Sequence, residues 1–246
     1  MKICFTSSLF GERGNFPSTF IKDERFDYFL FTDKTEGYYN TDWDIVNISK
    51  SKYIKNLDCN IRKSRFTKFY AHKILKKNYD LIYYCDAHWS PKENVDWAEL
   101  SHTIKNSKFG LAQDLHPNSV ESGRSIVSEL RAIMSRNKDS LASLRRTYEF
   151  FMEEYPSVDL NALNKFYLNT ALGYDPNNKY YNLIVEEFWR HYSSSQTSFR
   201  DQPFWNVLLT SHNIIPCELS LLEKFQKNGV YGDHRYVENQ TQRCLQ

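Results

Sequence analysis

The sequence predicts a single α/β domain with a mixed, mostly parallel sheet flanked by helices. Three observations carry this expectation. Short apolar or aromatic runs alternate with a segment of helical period, the run at 80–85 ends abruptly in the polar Asp86-Ala87-His88, and no repeat, linker or charge block divides the 246 residues. Strand–helix–strand alternation with a polar loop at a strand's carboxyl end is the pattern of an α/β sheet.

A first strand is expected at 2–7, ending in the loop Ser7-Ser8-Leu9-Phe10-Gly11. FDYFLF at 26–31 and WDIVNI at 43–48 supply a second and a third. From 61 to 75 the period becomes helical: Phe66, Phe69, Tyr70 and Ile74 recur, with Arg62, Lys63, Arg65, Lys68 and Lys73 between them. Residues 80–85 form a mostly apolar strand. A shorter one at 109–112 runs into Gln113-Asp114-Leu115-His116-Pro117. Ile126, Val127, Leu130, Ile133 and Met134, followed by Leu141, Leu144, Tyr148 and Phe151, trace a helical insertion around 120–155 with a break at 137–140. A strand at 166–172, a helix at 181–192 and another opening at 201–209 complete the chain, which reads as one domain over 1–246.

Composition excludes several classes. Thirty-two basic against thirty acidic residues give a net charge of +2, so no broad basic surface for nucleic acid is indicated. No run approaches the ~20 apolar residues of a spanning helix, and the start carries no signal-peptide core. A cytoplasmic protein is expected, with peripheral membrane contact left open. The five cysteines are widely spaced with no CxxC pair, and are read as reduced thiols. There is no GxSxG, P-loop, GxGxxG or HExxH pattern, which removes the matching hydrolase, triphosphatase, oxidoreductase and zinc chemistries. The aromatic share is high, with 17 Tyr, 17 Phe and 5 Trp. Most of these rings fall in strands and read as core. Phe10, Trp89, Trp97, Phe204 and Trp205 flank polar motifs and are candidates for stacking on a base or sugar.

Three segments bear chemistry. Asp86 and His88 end a buried strand and point a hard oxygen and an imidazole nitrogen at one spot, a pair that suits Mn²⁺ and tolerates Mg²⁺; the plainer reading is an Asp capping a turn beside an incidental His. The basic run Arg62-Lys63-Ser64-Arg65 with Lys68 is either a solvated helix face or a grip on phosphate oxygens. Asp201, in Arg200-Asp201-Gln202-Pro203, either caps the following helix or projects a carboxylate into a cleft.

Taken in order, these segments resemble the GT-A glycosyltransferases, and in particular a glycosyltransferase-like family of plants, bacteria and large viruses that carries an Arg-Asp-Gln motif. The resemblance runs through Thr6-Ser7-Ser8-Leu9-Phe10-Gly11, Tyr28-Phe29-Leu30-Phe31-Thr32-Asp33, Asn60-Ile61-Arg62-Lys63, Asp86-Ala87-His88, His116-Pro117 and Arg200-Asp201-Gln202, covering about residues 1–210. A more distant likeness is to glycogenin-like retaining transferases, through Asn169-Thr170-Ala171 and Asp201-Gln202…Asn206.

The resemblance implies a Rossmann-like GT-A domain, with a nucleotide-sugar half to about 117 and a helical, acceptor-binding half beyond. It implies transfer of a sugar from a nucleotide-diphosphate sugar to a hydroxyl of a glycan, lipid or protein, with Mn²⁺ or Mg²⁺ assisting and retention of configuration favoured. Asp86 and His88 would stand for the DxD metal motif, with His88 where a second acidic residue is usual. His234 would complete the metal shell, with His212 as second choice. Thr6, Ser7, Phe10 and Gly11 would line the nucleotide pocket, with Asp33 near base or ribose. Arg62 and Lys63 would face the phosphates, Asp114 and His116 the donor sugar. Asp201 and Gln202 would sit at the donor–acceptor junction. The alternative is a non-catalytic carbohydrate-binding or scaffold protein on a degenerate transferase fold. A nucleotidyltransferase ranks third, because Gly11-Glu12-Arg13-Gly14 only faintly imitates its phosphate loop.

Overall fold

Strand β1 (Ile3–Leu9) is buried at every position, which requires that both faces of its sheet be covered. The computed structural model describes residues 1–11, 18–34, 36, 41–57, 59–117, 124–163 and 165–228. In it β1 lies inside a six-stranded sheet with β2 (Asp27–Thr32), β3 (Asp44–Asn47), β4 (Leu81–Cys85), β6 (Leu111–Leu115) and β7 (Tyr167–Tyr174), in the order β3-β2-β1-β4-β7-β6. The β1–β2, β2–β3 and β1–β4 pairs are parallel. Strand β7 runs against both β4 and β6. The expected mixed, mostly parallel sheet flanked by helices is therefore observed. A separate two-stranded ribbon joins β5 (Trp89–Pro91) to β8 (Phe225–Lys227).

Alternation along the strands separates two cores. Cys4, Ile82, Tyr84, Leu172 and Tyr174 face one side, packed with Phe66 and Phe69 of α1 (Asn60–Tyr70), Ile184 and Phe188 of α5 (Lys179–Ser193), and Phe204 and Trp205 of α6 (Asp201–Ser211). The helices α3 (Ile126–Ser135) and α4 (Leu141–Glu154) extend this side through Ile133, Leu144 and Phe151. Ile3, Phe5, Leu81 and Tyr83 face the other side, under Trp97 and Ile104 of α2 (Trp97–Asn106). Phe5 stacks on Tyr28 and Tyr83 at 5.1 and 5.3 Å, so the aromatic excess serves mainly to fill these two layers.

Local chemistry accounts for the helix ends. Asp96, Ser125, Ser140 and Asn178 are N-caps whose side chains accept amides of the first turns of α2, α3, α4 and α5. The expected break in the helical insertion falls at Asn137, in the left-handed region at φ 48, before the Ser140 cap. The strand expected at 109–112 is displaced to Leu111–Leu115, because Gly110 turns at φ 57. Helix α2 and the β5–β8 ribbon are additional to the sequence reading. Cys4, Cys85 and Cys217 are free thiols, whereas Cys59 is disulfide-bonded, against the reduced state expected of all five.

This topology positions the site. From β1 the chain winds out through β2 and β3, then returns to lay β4 on the opposite side of β1. The reversal makes the carboxyl ends of β1 and β4 a topological switch point, where two neighbouring strands send their connections opposite ways and leave a crevice. The antiparallel β7 brings its first residues to the same edge.

Candidate functional site

At that edge four elements converge on a cluster of charge. Asp86 follows β4, Asn169 is the third residue of β7, Asp201 opens α6, and Arg65 and Lys68 come from α1. The Lys68 ammonium lies 3.3 Å from Asp86 Oδ1 and 3.4 Å from Asp201 Oδ2, and donates to the Asn169 carbonyl at 2.7 Å. Arg65 Nε donates to Asp201 Oδ1 at 2.7 Å, and Asn169 Nδ2 to Asp201 Oδ2 at 3.0 Å. Tyr84 donates its hydroxyl to Asp86 Oδ1 at 3.0 Å while its ring lies under Lys68.

A second row fixes Asn169. Gln113 Nε2 donates to Asn169 Oδ1 at 3.0 Å, and Trp205 Nε1 to Gln113 Oε1 at 2.8 Å. The amide of Asn169 is thereby oriented with its NH₂ toward Asp201, as a carboxylate requires.

Burial decides where the cluster opens. The Lys68 and Asp201 side chains are 2 % and 5 % exposed, that of Asp86 31 %, so Asp86 is the outward member. Removal from water would raise the pKa of Asp201, but Arg65, then Lys68 and Arg200, and the Asn169 hydrogen bond hold it well below the carboxylate range. Asp86 is likewise lowered against its burial, by Lys68, Arg65 and His88. Burial and then Arg65 lower Lys68, opposed by the two carboxylates. Arg200 is lowered by burial and Arg65, and its guanidinium makes no hydrogen bond or ion pair with a described residue.

No family model and no curated protein matches the chain. Among solved structures, the apo form of mouse xyloside xylosyltransferase 1 is similar at a TM-score of 0.47 and 9 % identity, over 89 % of this chain and 85 % of that one. A likeness so remote carries no inference about what this chain does.

Of the residues singled out in the sequence, the fold brings Asp86 and Asp201 together and disperses most others. The N-cap of α6 is Arg200, not Asp201, whose carboxylate is spent on Arg65, Lys68 and Asn169. Arg62 is buried and turned away: its guanidinium donates to the carbonyls of Tyr192 and Thr197 at 2.5 and 2.7 Å, tying α1 to α5 and the following loop. Lys63 reaches Asn60 Oδ1 at 3.3 Å. Thr6 and Ser7 donate to the Tyr83 and Cys85 carbonyls across the β1–β4 seam, at 3.1 and 2.8 Å.

Asp33 accepts the Gly11 amide at 3.0 Å and so closes the loop end after β1, with Gly11 at φ 86. Phe10 is 1 % exposed within the core, and Trp97, Phe204 and Trp205 are also buried. Four of the five rings considered for stacking are therefore packing; Trp89, which tilts against His88 at 5.7 Å, is half-buried. Asp114 is consumed as a cap, accepting the Leu221 and Leu222 amides at 2.6 Å each. Gln202 lends its carbonyl to Asn206. His116 packs edge-on to Phe166. His212 pairs with Glu187 at 2.7 Å, and His234 lies outside the described residues.

The donor set for a divalent ion is thin. Asp86 and His88 follow β4 within three residues, but the described residues contain no group of three His, Cys, Asp or Glu able to hold a metal. The Lys68 ammonium already stands beside Asp86 Oδ1 where a cation would be drawn. These residues alone do not fit a closed metal shell.

Sequence reading missed Tyr84 and Gln113 and undervalued Arg65 and Lys68. A signal was present. Lys68 sits between Thr67 and Phe69 in a run that is buried from Phe66 to Tyr70, and a lysine there must have an internal partner.

Proposed function

We propose that the chain moves a sugar from a nucleotide-diphosphate sugar to a hydroxyl acceptor, with the donor's diphosphate at the carboxyl ends of β1 and β4. One observation carries the reading: a buried ion cluster, with Arg200 adding a further positive charge beside it, stands at the switch point of an open sheet and opens through the half-exposed Asp86. Ligands of such sheets enter that crevice. Arg65 and Lys68 act on both Asp86 and Asp201, and Arg200 acts on Asp201, three positive charges against two negative, which leaves the crevice attractive to an anion.

Charge accumulates on the diphosphate as the glycosidic bond breaks, and preset cations answer it without reorganising. In this proposal Arg65 and Lys68 supply them, and Asp201 orients both. A carboxylate held this far below its usual pKa, with both oxygens occupied by Arg65, Lys68 and Asn169, is a poor proton acceptor, so Asp201 acts as a positioning residue rather than as a general base. That role favours retention over inversion.

The test is calorimetric titration of uridine, guanosine and cytidine diphosphates and their sugar conjugates, with and without Mn²⁺, followed by product analysis against simple glycoside acceptors. Saturable binding of one diphosphate, weakened at least tenfold by Arg65→Gln, is expected. A second reading, a carbohydrate-binding protein, is favoured by the saturation of Asp201 with internal partners. Silence of every nucleotide together with sugar binding would establish it instead.

A further inference from the structure

Beside the ion cluster lies a second concentration of charge that the transfer chemistry does not use. The turn after α3 is stitched to the segment before α6: Asp139 accepts the Ser140 amide at 2.7 Å and the Ser198 hydroxyl, and Ser198 Oγ accepts the Arg200 amide at 3.0 Å. That stitching sets Lys138 beside Arg200, with Arg136 at the end of α3 next to them. His116 faces Arg124 and Arg136 from the end of β6.

The acids near this arc do not balance it. Glu129 is ion-paired to Arg124, Asp139 is committed to Ser140, Ser143 and Ser198, and Asp201, which also attracts Arg200, is already paired with Arg65 and Lys68. The side chains of Arg136, Lys138 and Arg200 have no ion pair among the described residues. Burial, then Arg200 and Arg136, lowers the pKa of Lys138, and burial, then Arg124, lowers that of His116. The carboxyl end of α3 accommodates cations at positions 136 and 138. Arg200 has no such excuse, since it caps the amino end of α6, where the helix dipole is itself positive. A cation placed against burial, a helix dipole and neighbouring cations costs stability unless an anion arrives.

We propose that Arg136, Lys138 and Arg200 receive an anionic group, a carboxylate or a phosphate, carried by the acceptor sugar. Arg200 adjoins Asp201 in the chain, so an acceptor anchored there would present a neighbouring hydroxyl to the donor site. The assignment rests on the transferase reading above for the word acceptor, but not for the class of ligand.

The experiment is an NMR titration of the full chain with methyl glucoside, methyl glucuronide and glucose 6-phosphate, on the wild type and on Arg136→Gln/Lys138→Gln. Nucleotide diphosphate binding is measured in parallel on both. Both variant positions lie outside the buried core, and circular dichroism with thermal melting checks the fold. The charged sugars should bind at least about tenfold more tightly than the neutral one, and the variant should lose about that factor while keeping its nucleotide affinity. The tighter of the two charged probes identifies the source as carboxylate or phosphate. Equal binding of neutral and charged probes, or no binding of any, overturns the proposal. So does loss of nucleotide binding in the variant, which would assign the arc to the donor. Binding of charged sugars by a chain that ignores every nucleotide would sustain the ligand class and remove the transferase reading.

Discussion

Lys68 stands 3.3 Å from Asp86 and 3.4 Å from Asp201, so a single buried ammonium from α1 joins carboxylates that are 115 residues apart in the chain. The pairing links the end of β4 to the start of α6, and with Asn169 it holds three elements to one point.

Removing that ammonium should therefore cost stability as well as binding. Lys68→Met leaves the buried Asp201 and the half-open Asp86 with Arg65 as their remaining close cation, and a loss of about 3 kcal/mol is expected. Urea unfolding of Lys68→Met, Asp86→Asn and the double variant would measure it. The double variant should lose less than the two single losses together, because it no longer holds an uncompensated charge at 86. Strict additivity would mean that the two side chains do not interact.

The same cluster sets an acid limit. Asp201 binds its proton less readily in the folded than in the unfolded chain, so the stability it contributes is complete above the ordinary carboxylate pKa of ~4 and is lost as pH falls further. Asp201→Asn should flatten the decline of the urea midpoint between about pH 4 and pH 2.5, at the cost of lower stability at pH 7, where Arg65 loses its partner. An acid limb as steep as that of the wild type would place the linkage elsewhere.

A milder acid sensitivity should arise on the far side of the core. His72 has both ring nitrogens buried without a hydrogen bond, stacked at 5.6 Å on Tyr70. Burial, then Lys73, pulls its pKa from 6.5 down to about 4, against a small pull upward from Glu186. The unfolded chain takes up a proton below ~6.5 that the folded chain refuses, so stability falls from there toward pH 4 by on the order of 2 kcal/mol. His72→Phe should abolish that fall and raise Tm at pH 5 more than at pH 7.5.

Packing of α2 on the sheet gives a test free of charge. A Cβ on Gly173 would lie 2.8 Å from Tyr83 Cε1 and 2.9 Å from Ile104 Cδ1, both fully buried. Gly173→Ala should destabilise by about 2 kcal/mol, and Gly173→Val by more. Ile104→Ala opens the space α2 denies, so combining it with Gly173→Ala should recover part of the loss in a denaturant titration.

Most of the strands and helices followed from local pattern, with α2 and the β5–β8 ribbon the exceptions. Apolar runs gave β1, β2 and β4, helical spacing gave α1, α3, α4 and α5, and polar strand ends marked Asp86 as a place where side chains leave the sheet. These are properties of short windows, and a window contains them. The roles of single residues did not follow. Arg62 and Lys68 both lie on α1, yet Arg62 serves backbone carbonyls at the end of α5 and in the loop after it while Lys68 serves Asp86 and Asp201. Asp114 and Asp86 both end strands, yet Asp114 is spent on two amides more than a hundred residues away.

By itself the sequence determined the α/β class, the order of the main elements and two of the carboxylates that matter. The tertiary structure decided that β7 runs antiparallel between β4 and β6, that Lys68 and Arg65 rather than Arg62 and Lys63 meet those carboxylates, and that Phe10 and Trp205 fill the core. The physical reason is range. Secondary structure responds to neighbours within a few residues, whereas burial and charge pairing are fixed by contacts that form only when distant segments close on one another.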